Sequence, residues 1–404
     1  MSKQVLAEPL SAAAKQDPYP IYAALRAHQP VRRIALPDGR GLWLITRYDD
    51  VERALRDPRL VKDARNALTT EWLAWIPDGV KPFLEHMLVS DPPDHTRLRA
   101  LVHKAFSPRL IEGLRPRIQQ IADELLDAVE DDRAMDLIDS YAFPLPMTVI
   151  TELLGVPSRD RDRFREWSNA AVKVEFEGNG ELFPEPRQAA FASFAAYFRA
   201  LFEDKRANPS DDLVTALVLA EEEGEALDED ELVAMLFLLL VAGHETTVNL
   251  IGNGMLALLR HPDQLRMLQA DQALIVPAVE ELLRYDGPVE TSTFRYAAED
   301  VEVNGATIPQ GEIVLVVLAS ANRDADRFTD ADRLDITRTD NRHLAFGKGI
   351  HFCLGAPLAR MEAQIAIGTL LRRLPKLRLA VPPDQLEWRP GILIRGLRAF
   401  PVRF

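Results

Sequence analysis

Apolar residues recur at helical spacing through most of the chain, and from Leu236 to Ala242 they occupy every position. A helix that is apolar on all faces is buried rather than amphipathic. The pattern predicts one helix from Glu229 to Arg260, capped by Asp228, with an acidic first turn and a stop at His261-Pro262. At the usual rise it is about 48 Å long, enough to cross a whole domain. Further helices are expected from His95 to Phe106, with Asp94 as N-cap and Ser107-Pro108 as terminator, and from there to about Glu130. Strand signals are fewer. Val31 to Tyr48 reads as a hairpin turning at Pro37-Asp38-Gly39, and Glu299 to Val317 as short strands around Asn304-Gly305 and Pro309-Gln310-Gly311. A last segment, Trp388 to Phe404, turns at Pro390-Gly391. The expected fold class is mainly α with a small β region.

No Gly/Ser tract, long charge block or internal repeat divides the 404 residues, 47% of them apolar, so residues 1–404 are expected to form a single domain. The opening stretch MSKQVLAEPLSAAAKQ has no apolar run of signal-peptide or membrane-spanning length, which points to a soluble cytoplasmic protein. A net charge of −14 argues against nucleic acid or an anionic membrane as partner. One cysteine excludes a disulfide framework and Cys-rich zinc or iron–sulfur sites. There is no flavin-binding glycine fingerprint either, so electrons for redox chemistry would have to arrive from other proteins.

That cysteine, Cys353, stands in Phe346-Gly347-Lys348-Gly349-Ile350-His351-Phe352-Cys353-Leu354-Gly355. A lone cysteine is ordinarily a small buried hydrophobe. Here Gly347 and Gly349 permit tight turns, and Gly355 lets the chain pass close to the sulfur. Phe346 would shield the sulfur from water, and a helix expected from Ala356 to Leu371 would set its positive end beside a thiolate. These features suit a thiolate ligand to haem iron, which favours O–O cleavage.

A second polar signal, Ala242-Gly243-His244-Glu245-Thr246-Thr247, interrupts the long apolar helix. Buried polar groups need partners. Small residues at 242 and 243 would open room beside the helix, while Thr246 could bond the carbonyl four residues back and distort the ladder. Glu245 and Thr246 could then deliver protons into the groove. The plainer alternative is a kinked helix packing small residues on a neighbour.

The spacing Phe-x-x-Gly-x-His-x-Cys-x-Gly resembles the haem-binding signature of the cytochrome P450 superfamily, and Glu245-Thr246 resembles the acid–alcohol pair of its dioxygen-activating members. The resemblance covers nearly the whole chain and is closest to soluble bacterial members that hydroxylate macrolides and other polyketides. It implies a cytochrome P450 fold with haem b between the long distal helix and the cysteine loop, Cys353 as metal ligand, and Ala242, Gly243, Phe346, Gly347, His351 and Gly355 around the cofactor. His95, Arg99, Arg295 and His351 match positions that hold the haem propionates, carboxylates that need cationic or strongly donating partners. Glu281 and Arg284 match a buried Glu-x-x-Arg pair. Its third member, Arg323 or Arg327, stays open because Ala325-Asp326-Arg327-Phe328 departs from the family's Pro-Glu-Arg-Phe.

Segments that form substrate walls in the family here supply Trp72, Trp75, Met87, Leu88, Val89, Val172, Phe176, Val289, Ile392 and Leu393, with Glu85 and Glu175 as candidate partners for an amine. The implied activity is hydroxylation of a C–H bond in a bulky apolar small molecule, most simply a macrolide or polyketide. O₂ is the co-substrate, and electrons come from NAD(P)H through ferredoxin reductase and ferredoxin. Arg97, Lys104, Arg109, Arg342, Lys348 and Arg360 would form a basic proximal face for the ferredoxin; scattered solvated charges are the alternative. A monomer is expected. Steroid, terpenoid or fatty-acid hydroxylation, epoxidation or oxidative coupling, and a non-catalytic haem sensor remain open, although a sensor needs no proton relay.

Overall fold

The computed structural model describes residues 13–35, 41–67, 76–106, 108–172, 183–220 and 226–404. The chain divides into two compact units, one of Met1–Val61, Pro116–Leu145 and Thr246–Phe404, the other of Lys62–Arg115 and Pro146–Glu245.

Among the described residues every strand belongs to the first unit: β1 (Val31–Ala35), β2 (Gly41–Ile45), β3 (Leu60–Val61), β4 (Ala134–Asp136), β5 (Arg295–Ala297), β6 (Val301–Val303), β7 (Ala306–Ile308), β8 (Ile313–Val316), β9 (Arg378–Leu379) and β10 (Pro401–Arg403). β1 and β2 form the expected hairpin, Ala35 opposite Gly41; its turn lies outside the described residues. The larger sheet runs β1-β2-β8-β5-β3, with β2 and β8 parallel. β6 and β7 pair across Asn304-Gly305, both left-handed at φ 50° and 78°, as a tight two-residue hairpin turn requires. β10 lies between β4 and β9. Val314 and Val316 of the sheet pack with Val51, Leu60, Phe328 and Leu344 in one buried cluster. The Leu344 N–H donates to Asn322 Oδ1 at 2.7 Å, so the approach to the cysteine loop is pinned to this core.

The long helix spans Glu229–Arg260. Asp228 accepts from the Glu231 N–H at 2.8 Å while the Glu231 carboxylate accepts from the Asp228 N–H at 3.0 Å, a reciprocal cap. The helix is α-helical throughout, Thr246 included. Its most apolar window is 67% buried, which makes it a core helix. In the first unit its glycines serve packing: a Cβ at Gly252 would lie 2.8 Å from Ile138 Cδ1.

Also in the first unit, Arg284 and Glu281 are fully buried and paired at 2.7 and 2.8 Å. Arg284 also donates to the carbonyls of Asn322, Ala331 and Arg333. The third member is Arg338, whose Nε lies 3.1 and 3.3 Å from the Glu281 carboxylate oxygens. Neither earlier candidate fills that role. Arg323 lies over the rings of Tyr19 and Tyr285 and donates to the Tyr285 carbonyl, and Arg327 pairs with Asp340. Glu112 and Arg115 form the ordinary exposed pair that their spacing suggests.

The second unit is organised by aromatic side chains on Arg161–Val172, Glu185–Ala207 and the first half of the long helix. Phe194 stacks on Phe198 at 5.6 Å and meets Phe164 and Phe237 edge-on. The helix Asp94–Ala105 starts one residue early: Pro93 is its cap, and Asp94, in the first turn, makes no side-chain cap. A first-turn carboxylate still complements the helix dipole.

Candidate functional site

In the first unit the loop before Cys353 closes on itself. The Cys353 N–H donates to the Phe346 carbonyl at 3.0 Å, and Gly347 N–H to Leu344 at 2.8 Å. Gly347 and Gly349 have φ of 70° and 76°, a region open to glycine at little cost. At Gly349 a side chain would also meet the Leu55 carbonyl, 3.1 Å from its Cβ. Gly355 passes the sulfur so closely that a Cβ there would sit 4.0 Å from Sγ, and it caps the helix Ala356–Arg373. The Phe346 ring packs with Leu250, Val279 and Leu283, and Arg360 lies over it at 4.4 Å, while Cys353 is exposed.

These residues fit haem. A thiol presented at a helix N-terminus beside two uncovered apolar side chains, Ile350 at 51% and Phe352 at 40% exposure, suits a flat apolar macrocycle with iron at its centre. Arg295 reaches the same place from β5. It is buried and donates to the Leu60 carbonyl at 3.0 Å and to Leu55 at 3.3 Å, the carbonyl against which Gly349 turns. His351 lies half-buried in the loop itself.

In the second unit His95 and Arg99 share one face of Asp94–Ala105. His95 is buried, and burial first, then the Arg99 charge, holds its imidazole below the ordinary histidine range. The pair therefore combines a neutral donor with a fixed cation, a suitable partner set for a carboxylate.

Along the middle of the long helix Phe237, Val241 and Thr246 are half-buried and Ala242 is exposed, while Leu236, Leu240, His244 and Thr247 are buried. Ala242 and Thr246 share one helix face, as the small residue at 242 predicts, whereas Phe237 and Val241 lie roughly 140° round the helix from them. A Cβ at Gly243 would lie 3.0 Å from Ile150 Cδ1, so its smallness also permits close packing. Glu245 is buried, with an oxygen 3.9 Å from His244 Nε2. His244 Nδ1 lies 2.8 Å from the Leu240 carbonyl, so Nδ1 carries the proton and in the neutral ring Nε2 accepts from Ser168 Oγ at 3.2 Å.

Of the wall residues, Met87 is buried, Leu88, Val89, Val289, Ile392 and Leu393 are half-buried, only the backbone of Val172 is described, and Trp72, Trp75 and Phe176 lie outside the described residues. Val289 bridges to Ile394, and the Glu290 N–H donates to Leu393 at 2.8 Å, which brings the two late segments together. Glu85 is exposed and Glu175 is outside the described residues.

The basic patch is largely compensated: Arg97 pairs with Glu231, Arg342 with Asp340, Lys348 with Glu52 and Arg360 with Glu280. Arg109 is exposed, and the Lys104 side chain is not described. One buried group escaped sequence reading. Glu362, on the helix after the cysteine, is 1% exposed, and burial pushes its carboxyl up to about 8, opposed by the Thr247 hydroxyl. Its only sequence signal is a carboxylate between two apolar neighbours, Met361 and Ala363.

Comparison with known proteins agrees with this site. The Cytochrome P450 family profile matches residues 183–395. The chain is 53% identical to Cytochrome P450 107B1 of Saccharopolyspora erythraea, over 96% of this chain and 95% of that protein. It is 50% identical to the Vitamin D(3) 25-hydroxylase of Pseudonocardia autotrophica, over 96% and 94%. A solved structure of the Bacillus subtilis 168 bacillaene polyketide synthase cytochrome P450 PksS superposes with a TM-score of 0.91 at 45% identity, covering 98% of each chain. A cysteine loop built for a haem thiolate, a long helix with an acid–alcohol pair, and relatives matched end to end lead to one conclusion: the chain belongs to the cytochrome P450 family of haem-thiolate monooxygenases.

Proposed function

We propose that the chain works as one haem domain that hydroxylates a C–H bond in a bulky apolar molecule of the macrolide or polyketide class, in the cytoplasm, with electrons delivered by a ferredoxin and its reductase. The carrying observation is the Cys353 loop, an exposed sulfur on a glycine-shaped turn at a helix N-terminus. Bound there, haem b supplies the activation of O₂, with electrons from NAD(P)H reaching it through partner proteins. Cys353 ligates the iron, and His95, Arg99, Arg295 and His351 hold the propionates. Glu245 and Thr246 move protons beside the face that Ala242 and Thr246 share; a buried carboxyl beside a half-buried hydroxyl supports that role. Met87, Leu88, Val89, Val289, Ile392 and Leu393 contact substrate.

The polyketide class draws on the relation to PksS, whose own name ties it to a polyketide synthase. Because so many of the basic residues are paired, ferredoxin docking would rely on Arg109 and on rearranged ion pairs rather than on a ready-made positive field. The test is an optical titration of the holoprotein with macrolactones, secosteroids, terpenoids and fatty acids. A saturable low-to-high-spin Soret shift with macrolactones supports the polyketide class. A shift with secosteroids alone replaces that class and leaves the monooxygenase reading in place.

A further inference from the structure

We infer that Lys15 is a positioning residue for substrate: from the N-terminal segment it anchors the two backbone-paired chain segments, 288–291 and 392–395, that carry the proposed contacts Val289, Ile392 and Leu393. The inference rests on the reading of those three residues as substrate contacts. Lys15 is 6% exposed, which a lysine tolerates only with strong partners. Its ammonium donates to the Glu290 carboxylate and, at 3.4 Å, to the Ile394 carbonyl. One side chain thus touches both segments. Glu290 follows Val289 directly, and neighbours in an extended segment point to opposite sides, so the carboxylate is gripped from behind while Val289 faces away.

The grip has further members. Tyr22 donates to the other Glu290 oxygen, and Arg395, stacked on Trp388 at 3.5 Å, donates to Asp286 at 2.7 Å and to the Lys15 carbonyl. Lys15 and Arg395 thereby face Glu290 and Asp286 in one largely buried cluster, with the Arg323 charge also acting on Asp286. Pairing explains how it survives burial, but not why it lies here. An apolar contact would hold the N-terminal segment equally well. What an ion pair adds is direction: backbone bonds from the Glu290 N–H to Leu393 at 2.8 Å and from the Arg395 N–H to Pro288 at 2.9 Å fix the spacing of the two segments, and Lys15 fixes where that pair sits against the N-terminal segment, which apolar packing leaves free.

The test uses holoprotein and two iron-binding probes, imidazole and phenylimidazole, whose affinity ratio reads the apolar walls without a natural substrate. Lys15→Met strands Glu290 and lowers the melting temperature. Lys15→Met/Glu290→Gln buries no lone charge and regains most of it, yet binds phenylimidazole at least about tenfold more weakly than wild type, with imidazole binding unchanged within about threefold. Lys15→Arg retains phenylimidazole affinity. Val289→Ala tests the underlying contact by itself. Weakened binding in Val289→Ala together with wild-type affinity in the double variant overturns the role of Lys15. Wild-type affinity in both overturns the contact assignment and the inference with it.

Discussion

Replacing Arg338 with methionine removes one charged partner of Glu281 and leaves the other in place. The carboxylate keeps two bonds from Arg284 at 2.7 and 2.8 Å, the Asp335 N–H at 2.9 Å and Asn341 Nδ2 at 3.2 Å. It loses contacts of 3.1 and 3.3 Å, long for a charge-assisted pair. A charged hydrogen bond contributes about 1.5–3 kcal/mol, and the stretched geometry puts this one near 1.5. Arg284→Met is the contrasting case. It leaves a fully buried carboxylate with only the longer Arg338 contacts as charged pairing and frees three carbonyls, so about 3–5 kcal/mol is lost. Urea denaturation followed by tryptophan fluorescence and by haem absorbance reads both, with wild type and Arg327→Met as references. The expected order of destabilisation is Arg284, then Arg338, with Arg327 within about 0.5 kcal/mol of wild type. If Arg327→Met costs more than Arg338→Met, the network has been assigned to the wrong arginine.

Glu362 predicts a pH signature. Its folded value near 8 lies above the usual 4.5, so the folded state holds the proton more tightly. The associated stabilisation is full below pH 4.5 and fades as pH rises to 8. Glu362→Gln, neutral at every pH, should therefore gain stability relative to wild type across that window, by about 4 kcal/mol at its top, and a flat difference would refute the neutral buried carboxyl. Gly349→Ala forces a side chain into the left-handed region and toward the Leu55 carbonyl; about 1–2 kcal/mol of loop strain should appear as faster haem loss to apomyoglobin. Thr246→Ala should keep haem but divert electrons to hydrogen peroxide, lowering product formed per NAD(P)H, and unchanged coupling would remove the hydroxyl from proton delivery. Arg295→Ala combined with Arg99→Ala should weaken haem retention, and full occupancy would count against both as propionate partners.

What the sequence discloses is local. Asp228 announces a helix cap, and Asn304-Gly305 announces a tight turn; both form as expected because the interacting atoms are chain neighbours. The glycines around Cys353 are legible for the same reason. Partners distant in sequence are not. Arg338 lies 57 residues from Glu281 and Lys15 lies 275 from Glu290, and nothing in spacing distinguishes them from nearer charges such as Arg323 and Arg327. The basic patch misleads through the same gap: counting cations near the cysteine omits Glu231, Glu52 and Glu280, which the fold brings to them. Ala242 announces room beside the long helix, but the half-buried Phe237 and Val241 within the apolar run are not legible, because their exposure depends on what the neighbouring elements reach.

The most direct test of the account is the reduced-minus-oxidised carbon monoxide difference spectrum of the purified holoprotein beside Cys353→Ser. Thiolate ligation by Cys353 requires the strongly red-shifted Soret band of a thiolate-ligated carbonyl complex in the wild type and its loss in the variant. The same red-shifted band in Cys353→Ser, or its absence from correctly folded, haem-loaded wild type, would contradict the assignment on which the proposed chemistry depends.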